Sequence, residues 1–243
     1  MTGLTGRTDS AGQPRQPGQT RHGYAVRSSR EVYRGRVFGM RADQVEMPGG
    51  RIAVREVVVH PGAVVVAAVD EQDRLVMVHQ YRHPVGQHLF ELPAGLLDVD
   101  GEPAVVAAGR ELYEEAHLRA GRWHLLADVF PSPGMTDEAV RLYLARDLTP
   151  VPDAERFVAD GDEEAEMTVH RVDLDTAVRM VFAGELNNGV TITGVLAAAR
   201  LRDAGWPESS LRPPNSPWPA RPTHADQPNL SGVSSHSDLP DQG

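Results

Sequence analysis

The sequence predicts an α/β protein, an α/β/α sandwich with a mixed sheet that follows an N-terminal β-hairpin region. Its segments run in the order strands, helix, strands, helices, which suits helices packed on both faces of a sheet. Residues 63–69 form an unbroken apolar run, as expected of a strand that is buried on both faces. The carboxylate-rich helical segment 102–118 separates two groups of strand-like segments.

The N-terminal hairpin region is predicted from weak alternation and one strong turn. Pro48, Gly49 and Gly50 are turn-forming residues between two strand-like segments. Pro61 and Gly62 end the region. The strands predicted here are 32–40, 43–47 and 52–59.

The remaining elements follow from apolar periodicity and from the turn residues between segments. The predicted strands are 63–69, 75–81, 89–92, 123–129, 140–144 and 167–172. The predicted helices are 102–118, 174–183 and 194–204.

One domain, residues 31–205, is predicted between two disordered tails. Residues 1–30 are rich in Gly, Gln, Ser, Thr and Arg, and residues 206–243 in Pro, Ser, Asn and Asp. Neither segment has enough apolar residues to form a core. The sequence also has no signal-peptide-like or membrane-spanning apolar run, so we expect a cytoplasmic protein with no membrane partner.

The composition excludes several kinds of chemistry. The 243 residues include no cysteine and no lysine, which excludes disulfides, thiolate catalysis, cysteine-ligated zinc, Schiff bases and a lysine-dependent phosphate loop. The formal net charge is −10, and the acidic residues concentrate in the middle of the chain. We therefore expect no nucleic-acid partner, and an anionic substrate would need bound metal or well-placed arginines.

Segment 102–118 places several carboxylates and one arginine in helical register. Glu111 and Glu115 are four residues apart and share a helix face, and Arg110 can pair with Glu114. Carboxylates grouped in this way suit a hard divalent cation, Mg²⁺ or Mn²⁺. A solvated acidic face is the alternative, but the strand and glycine turn that end at Gly95 favour a strand–loop–helix unit.

This unit resembles the Nudix box, G-x5-E-x7-R-E-U-x-E-E-x-G-U, in which U is aliphatic. The matching residues are Gly95, Glu102, Arg110, Glu111, Leu112, Glu114, Glu115 and Leu118. The loop after Gly95 is one residue longer than the pattern, and His117 replaces its second glycine. We expect His117 to end the helix in a left-handed conformation at a cost of about 1 kcal/mol. The resemblance covers residues 31–205 and implies the same α/β/α fold.

Within this family the chain is most similar to the ADP-ribose pyrophosphatase branch. The similarity lies in segments 80–82, 91–95 and 132–138. In that branch a glutamate on a mobile loop acts as a base or orients the attacking water. We match Glu164 to it, with Glu163 and Glu166 as alternatives; without the resemblance, the acidic run 162–166 would be read as a solvated loop.

The spacing and the resemblance together imply a metal site and a catalytic set. The expected metal ligands are Glu111 and Glu115. The resemblance adds two more, the main-chain carbonyl of Ala94 and the carboxylate of Glu164. Arg110 is expected to orient Glu114, and both join Glu164 in the catalytic set. Glu102 is expected to support the helix N-terminus, where negative charge is favourable. Paired metal ions would activate water and neutralise the leaving group.

Four residues are candidates for contact with the substrate. Arg55 and Arg82 could bind phosphate or ribose oxygens through bidentate contacts, although either alone is more often an ordinary surface arginine. Gly134 and Glu138 belong to the Pro-Gly loop, and Glu138 could approach a diphosphate.

The resulting hypothesis is a Mg²⁺-dependent diphosphohydrolase that splits ADP-ribose into AMP and ribose 5-phosphate. The substrate could instead be another nucleoside diphosphate sugar or a dinucleotide. A protein of a different class, a non-catalytic Nudix-fold sensor of ADP-ribose, is the other alternative. The resemblance also implies a homodimer in which the N-terminal strands, residues 31–60, help to form the partner's substrate site.

Overall fold

The computed structural model describes residues 24–157 and 166–219, and these contain ten strands and three α-helices. The strands are β1 (Ala25–Arg34), β2 (Gly39–Glu46), β3 (Ile52–Val59), β4 (Ala63–Ala68), β5 (Arg74–Arg82), β6 (Gln87–Glu91), β7 (Ala94–Leu96), β8 (Leu118–Val129), β9 (Val140–Pro150) and β10 (Thr168–Asp173). The helices are α1 (Ala104–Ala116), α2 (Leu174–Ala183) and α3 (Gly189–Asp203).

The centre of the domain is a mixed sheet in the order β7-β4-β9-β8. Strand β4 runs parallel to β9 and antiparallel to β7. A second, antiparallel sheet has the order β10-β5-β6, and a bridge between Val69 and Leu75 links β4 to β5. The expected α/β fold with a mixed sheet is therefore confirmed.

Strand β4 is buried on both faces, as its apolar run predicts. Val65 and its alternate neighbours pack with residues of α2 and α3, whereas Val64 and Val66 pack with residues of α1. Successive side chains of a strand point to opposite faces, so a strand between two helical layers has no polar face. This sandwich places α3 and α1 on opposite sides of one strand.

The ends of the helices follow local rules. His117 ends α1 with φ 52° and ψ 43°, the left-handed conformation expected from its place in the box. Asn188 caps α3 by accepting hydrogen bonds from the N–H groups of Val190 and Thr191. Within α3, a Cβ at Gly194 would overlap the end of the Leu92 side chain. Helix α3 therefore lies close against the segment that leads into β7.

The N-terminal strands form a separate antiparallel sheet, β1-β2-β3. The turn between β2 and β3 contains Gly49 and Gly50 at φ 94° and 83°, in agreement with the predicted hairpin. The region differs from prediction in its first strand, because β1 begins at Ala25, inside the predicted tail. A turn closed by the Gly35 N–H and the Phe38 carbonyl splits the predicted strand 32–40.

The segment after α3 also corrects a predicted boundary, because residues 206–219 pack on the domain. The indole of Trp206 donates to Asp73 (3.1 Å), and the carbonyl of Arg212 accepts from Leu125 N–H (3.0 Å). Arg141, only 3% exposed, donates to the carbonyls of Ser216 and Pro217. The Pro-rich composition of this segment does not predict these contacts. The rest of the predicted tails, 1–23 and 220–243, lies outside the described residues.

No helix in the described ranges 24–157 and 166–219 is long and apolar enough to span a membrane.

Candidate active site

The acidic helix α1 carries one arginine that pairs with three carboxylates. Arg110 donates to Glu102 through Nε (3.3 Å) and Nη2 (3.1 Å), and through Nη1 to Glu111 (2.6 Å) and Glu114 (3.1 Å). The hydrogen bonds with Glu102, followed by the charge of Glu111, hold the pKa of Arg110 above its ordinary value although partial burial opposes them. One guanidinium cannot neutralise three carboxylates, so this group keeps an excess of negative charge.

The predicted role of Glu102 at the helix N-terminus is not observed. The residue that caps α1 is Pro103, and no side chain accepts a hydrogen bond there. Glu102 instead forms the two hydrogen bonds with Arg110, because a charge-assisted pair with a guanidinium is stronger than a contact with the helix dipole. The predicted pairing of Arg110 with Glu114 is present, but it is one of three.

Glu111 is buried against the loop that precedes α1. Its side chain is 11% exposed, and burial raises the pKa of its carboxyl, an effect that Arg110 only partly opposes. A Cβ at Gly95 would overlap the carboxyl group of Glu111. Glycine at position 95 therefore allows this carboxylate to lie directly on the main chain of β7.

Glu115 lies one helical turn further on and contacts the same strand. Its Oε2 accepts the N–H of Ala94 at 2.9 Å. Strand β7 is thus held by Glu115 and covered by Glu111, so the two carboxylates converge on residues 94–95. Their type and position fit a hard divalent cation, which favours carboxylate and carbonyl oxygens. The residues that would hold it are Glu111, Glu115 and the main chain of Ala94.

This pair alone does not complete a ligand set. Among residues 24–157 and 166–219, no three His, Asp or Glu side chains are arranged to hold a metal ion together. Hard cations such as Mg²⁺ commonly keep several water ligands and use phosphate oxygens of the substrate. Glu111 and Glu115 therefore suit an ion whose other ligands come from main chain, water or substrate.

A cavity of about 300 Å³ opens beside β7. Its polar side chains belong to His60, Arg82, Glu91, Glu138, Asn188 and Thr191. Its other walls are Ala63, Val65, Leu92, Ala94, Gly95, Leu96, Val140 and Val190. Because Ala94 and Gly95 belong both to the cavity and to the contacts of Glu115 and Glu111, the cavity adjoins the candidate metal ligands.

Glu91 forms one wall of the cavity and is 2% exposed. It accepts hydrogen bonds from Gln80 (3.2 Å), Asn188 (3.0 Å) and Arg82, whose Nη2 lies 2.6 Å from Oε2. Thr191 accepts the N–H of Leu92 at 3.2 Å. These bonds connect β5, β6 and the start of α3, and they hold the Arg82 side chain at the cavity.

The opposite wall is formed where the N-terminal sheet meets the Pro-Gly loop. The N–H of Val58 donates to the carbonyl of Met135 (2.8 Å), and Arg41 donates to Asp137 (3.1 Å). Asp137 also accepts the N–H of His60 at 2.9 Å. This anchored loop carries Glu138 to the cavity.

The structure brings together some of the predicted substrate residues but not all. Arg82 and Glu138 line the cavity. Arg55 is exposed on β3, where it donates to the carbonyl of Val54, and Gly134 is exposed in the turn after Pro133, so neither lines the cavity of its own chain. The predicted base, Glu164, and its alternative Glu163 lie outside the described residues. The other alternative, Glu166, is exposed.

Sequence reasoning missed four polar residues of the cavity, His60, Glu91, Asn188 and Thr191. Glu91 begins the segment 91–95 that carries part of the family resemblance, and the β5–β6 hairpin brings it within hydrogen-bonding distance of Arg82. Asn188 carries the signal of a helix cap, since it precedes a helix and has an amide side chain. His60 precedes the Pro-Gly break after β3, which gives no indication of a pocket.

Comparison with known proteins identifies two matching family models. The NUDIX domain model matches residues 59–184. The model of the nucleoside diphosphate sugar hydrolase N-terminal domain matches residues 25–58, which contain all of the sheet β1-β2-β3 except its last residue, Val59.

Several curated proteins are similar over most of their length. The ADP-ribose pyrophosphatase of Mycobacterium tuberculosis is 45% identical over 204 residues, which cover 83% of this chain and 94% of that protein. The ADP-ribose pyrophosphatase of Bacillus subtilis is 34% identical, with coverage of 66% and 84%. The methanol dehydrogenase activator of Bacillus methanolicus is also 34% identical, with coverage of 68% and 86%. A solved structure described as an ADP compounds hydrolase shares the fold, with a TM-score of 0.65 at 21% identity, over 77% of this chain and 99% of that one.

Proposed function

Because the chain belongs to the Nudix family, we propose that it is a divalent-metal-dependent diphosphohydrolase that cleaves ADP-ribose to AMP and ribose 5-phosphate. The observation that supports hydrolysis is the convergence of Glu111 and Glu115 on residues 94–95, beside a polar cavity. The choice of substrate is supported by the 45% identity with an ADP-ribose pyrophosphatase over nearly all of that protein.

The proposed chemistry divides the work between α1 and the cavity. Glu111 and Glu115 would hold Mg²⁺, or Mn²⁺ in its place; such ions lower the pKa of a water and neutralise phosphate oxygens. Arg110 does not line the cavity and serves to position Glu111 and Glu114, with which it forms hydrogen bonds. Glu164 remains our proposed base and additional metal ligand. Glu163 and Glu166 remain its alternatives.

The cavity suits the sugar phosphate half of the substrate. Its volume of about 300 Å³ is at the lower end for small-molecule sites. Among the described residues that line it, there is no Phe, Tyr or Trp on which adenine could stack. Arg82 offers a cation for phosphate oxygens, and the carboxylate of Glu138 can accept hydrogen bonds from sugar hydroxyls. We therefore assign ribose 5-phosphate, rather than the adenosine half, to this cavity.

We also propose a homodimer that forms through the N-terminal sheet. Ile52 and Val54 lie on the same face of β3 and are 47% and 59% exposed. Neighbouring apolar side chains that are exposed on one face of a sheet indicate an interaction surface. Arg55 would then serve the partner's substrate site, in keeping with its distance from the cavity lining of its own chain. Sedimentation of the full chain tests this, with Val54→Arg expected to favour monomers.

The main test is turnover with defined substrates. Purified protein is incubated with ADP-ribose, a nucleoside diphosphate hexose or a dinucleotide, with Mg²⁺, Mn²⁺ or EDTA, and products are separated by chromatography. We expect AMP and ribose 5-phosphate from ADP-ribose only when metal is present. A protein that binds ADP-ribose but releases no product would be a sensor, and absence of both would refute the proposal. A cytoplasmic location stays a prediction.

A further inference from the structure

His60 is a residue of the cavity for which the proposed chemistry has no role. It lies between β3 and β4, and its side chain is 16% exposed. Arg82 and Glu138 line the same cavity, and Nδ1 of His60 lies 3.9 Å from a carboxylate oxygen of Glu138. The imidazole is therefore available to whatever occupies this space.

The orientation of the His60 ring is fixed by the main chain. The N–H of His60 donates to Asp137 at 2.9 Å, and Nδ1 accepts the N–H of Gly62 at 3.1 Å. Because Nδ1 is an acceptor in this turn, the proton of the neutral ring is carried by Nε2. Nε2 forms no hydrogen bond with any residue in the described ranges, so it is a preset donor for a ligand.

We propose that His60 is a substrate-binding residue whose Nε2–H donates a hydrogen bond to an oxygen of the sugar phosphate. This inference rests on the proposed function. The carboxylates of Glu91 and Glu138 in the cavity wall accept hydrogen bonds, and the oxygens of a sugar phosphate are acceptors as well. Binding a sugar phosphate therefore needs hydrogen-bond donors, and Nε2–H of His60 is one. A hydrogen-bond donor at His60 supplements the charge of Arg82.

Two substitutions separate this role from the structural one. His60→Asn keeps an acceptor where Nδ1 lies, because an asparagine oxygen accepts the N–H two residues on in the same kind of turn, but it removes Nε2. His60→Gln instead places an amide near the position of Nε2. His88→Asn is the matched control, since His88 is exposed on β6 and lies outside the cavity lining.

Steady-state turnover of ADP-ribose and thermal unfolding are measured for all four proteins. We expect His60→Asn to raise KM about tenfold, the loss typical of one hydrogen bond to a charged group, with an unchanged melting temperature. His60→Gln should recover part of that loss, and His88→Asn should match the parent. Unaltered KM in His60→Asn would overturn the inference, as would a loss confined to its melting temperature.

Direct titration distinguishes failure of this inference from failure of the proposed function. Ribose 5-phosphate and, separately, inorganic phosphate are titrated into parent and His60→Asn in EDTA. We expect His60→Asn to bind ribose 5-phosphate more weakly than the parent does. If inorganic phosphate loses as much affinity as ribose 5-phosphate, the hydrogen bond from His60 goes to a phosphate oxygen. If the affinity for inorganic phosphate is unchanged, the bond goes to a sugar oxygen. A parent that binds ribose 5-phosphate but does not cleave ADP-ribose refutes only the proposed function. A parent that does not bind it refutes the role of His60.

Discussion

Two charged clusters of the molecule have opposite composition. In the Arg110 cluster, one cation is surrounded by the carboxylates of Glu102, Glu111 and Glu114. In the Glu91 cluster, one carboxylate is surrounded by the donors of Gln80, Arg82 and Asn188. The first cluster has more carboxylates than its one arginine can neutralise. The second matches a single negative charge with one cation and two neutral donors.

The different balance of charge indicates that the Arg110 cluster serves function and the Glu91 cluster serves structure. Burial raises the pKa of Glu111, so the ionised carboxylate is held where its charge is unfavourable. For Glu91, which is 2% exposed, three donors meet the requirement that a buried carboxylate be hydrogen-bonded. A site that stores uncompensated charge is prepared for a cation. A site whose charge is already balanced connects strands and positions Arg82.

The first test of these roles is Glu111→Gln, for which we expect the largest effect. Loss of a metal ligand should lower kcat/KM by about 1000-fold, or about 4 kcal/mol of transition-state stabilisation. In EDTA, however, the variant should unfold at the same temperature as the parent or higher, because it removes an unfavourable charge. Turnover with Mg²⁺ and calorimetry in EDTA measure the two effects.

The same variant makes a pH dependence testable. The pKa of Glu111 is raised in the folded protein, so its ionisation destabilises the fold above that pKa, and this cost disappears as the pH falls toward the ordinary value. Without metal, the parent should therefore be less stable than Glu111→Gln at neutral pH, and the gap should close in acid. A gap that is the same at every pH would show that the Arg110 cluster is already balanced.

The second test acts on the Arg110 cluster through the main chain. In Gly95→Ala the new methyl would overlap the carboxyl group of Glu111, which must move away from β7. Because a displaced ligand holds its ion poorly, we expect kcat/KM to fall about 100-fold, in the range found for misplaced catalytic groups. The flexible end of Glu111 can yield, so stability should change by about 1 kcal/mol or less. Wild-type turnover would mean that Glu111 has no fixed position.

The third test acts on the Glu91 cluster. In Glu91→Gln one carboxylate oxygen becomes an NH₂ group that faces donors, so a hydrogen bond is lost and Arg82 no longer faces the negative charge of Glu91. We expect a loss of about 2 kcal/mol in unfolding free energy, less than for a fully buried pair, because Arg82 is 40% exposed. Denaturant unfolding measures it. A variant as stable as the parent with weak turnover would reverse the assignment of roles.

The sequence predicted the parts of the molecule that depend on local pattern. The strand 52–59 and the helix 174–183 were predicted to the residue, because their turns and apolar periodicity are strong. His117 ends α1 in the left-handed conformation that the box implies. The helix carboxylates were identified for the same reason, since their spacing along α1 is itself the signal.

The parts that were missed depend on contacts between distant segments. Glu102 was assigned to the helix end because its neighbours in sequence suggested it, but its partner is eight residues away. The segment 206–219 has the composition of a tail, yet the carbonyl of Ser216 accepts from a buried arginine 75 residues earlier. The N–H of His60 donates to Asp137, which lies 77 residues later in the chain. No periodicity or spacing encodes the contacts of Ser216 and His60, because they join segments that are far apart in sequence.

The smallest expected effect comes from Gly109→Ala, which makes the same change on α1, the helix that carries Glu111, and serves as a control for Gly95→Ala in β7. A Cβ at Gly109 would meet the side chain of Trp123 at an ordinary 3.9 Å. Alanine in a helix interior should raise stability by about 0.5–1 kcal/mol, measured by denaturant unfolding, with turnover unchanged. If Gly109→Ala lowered turnover as much as Gly95→Ala, the cause would be a general sensitivity of α1. If it stabilises the protein and leaves turnover intact, the loss in Gly95→Ala belongs to the carboxylate of Glu111, and the Arg110 cluster is sensitive only where it meets β7.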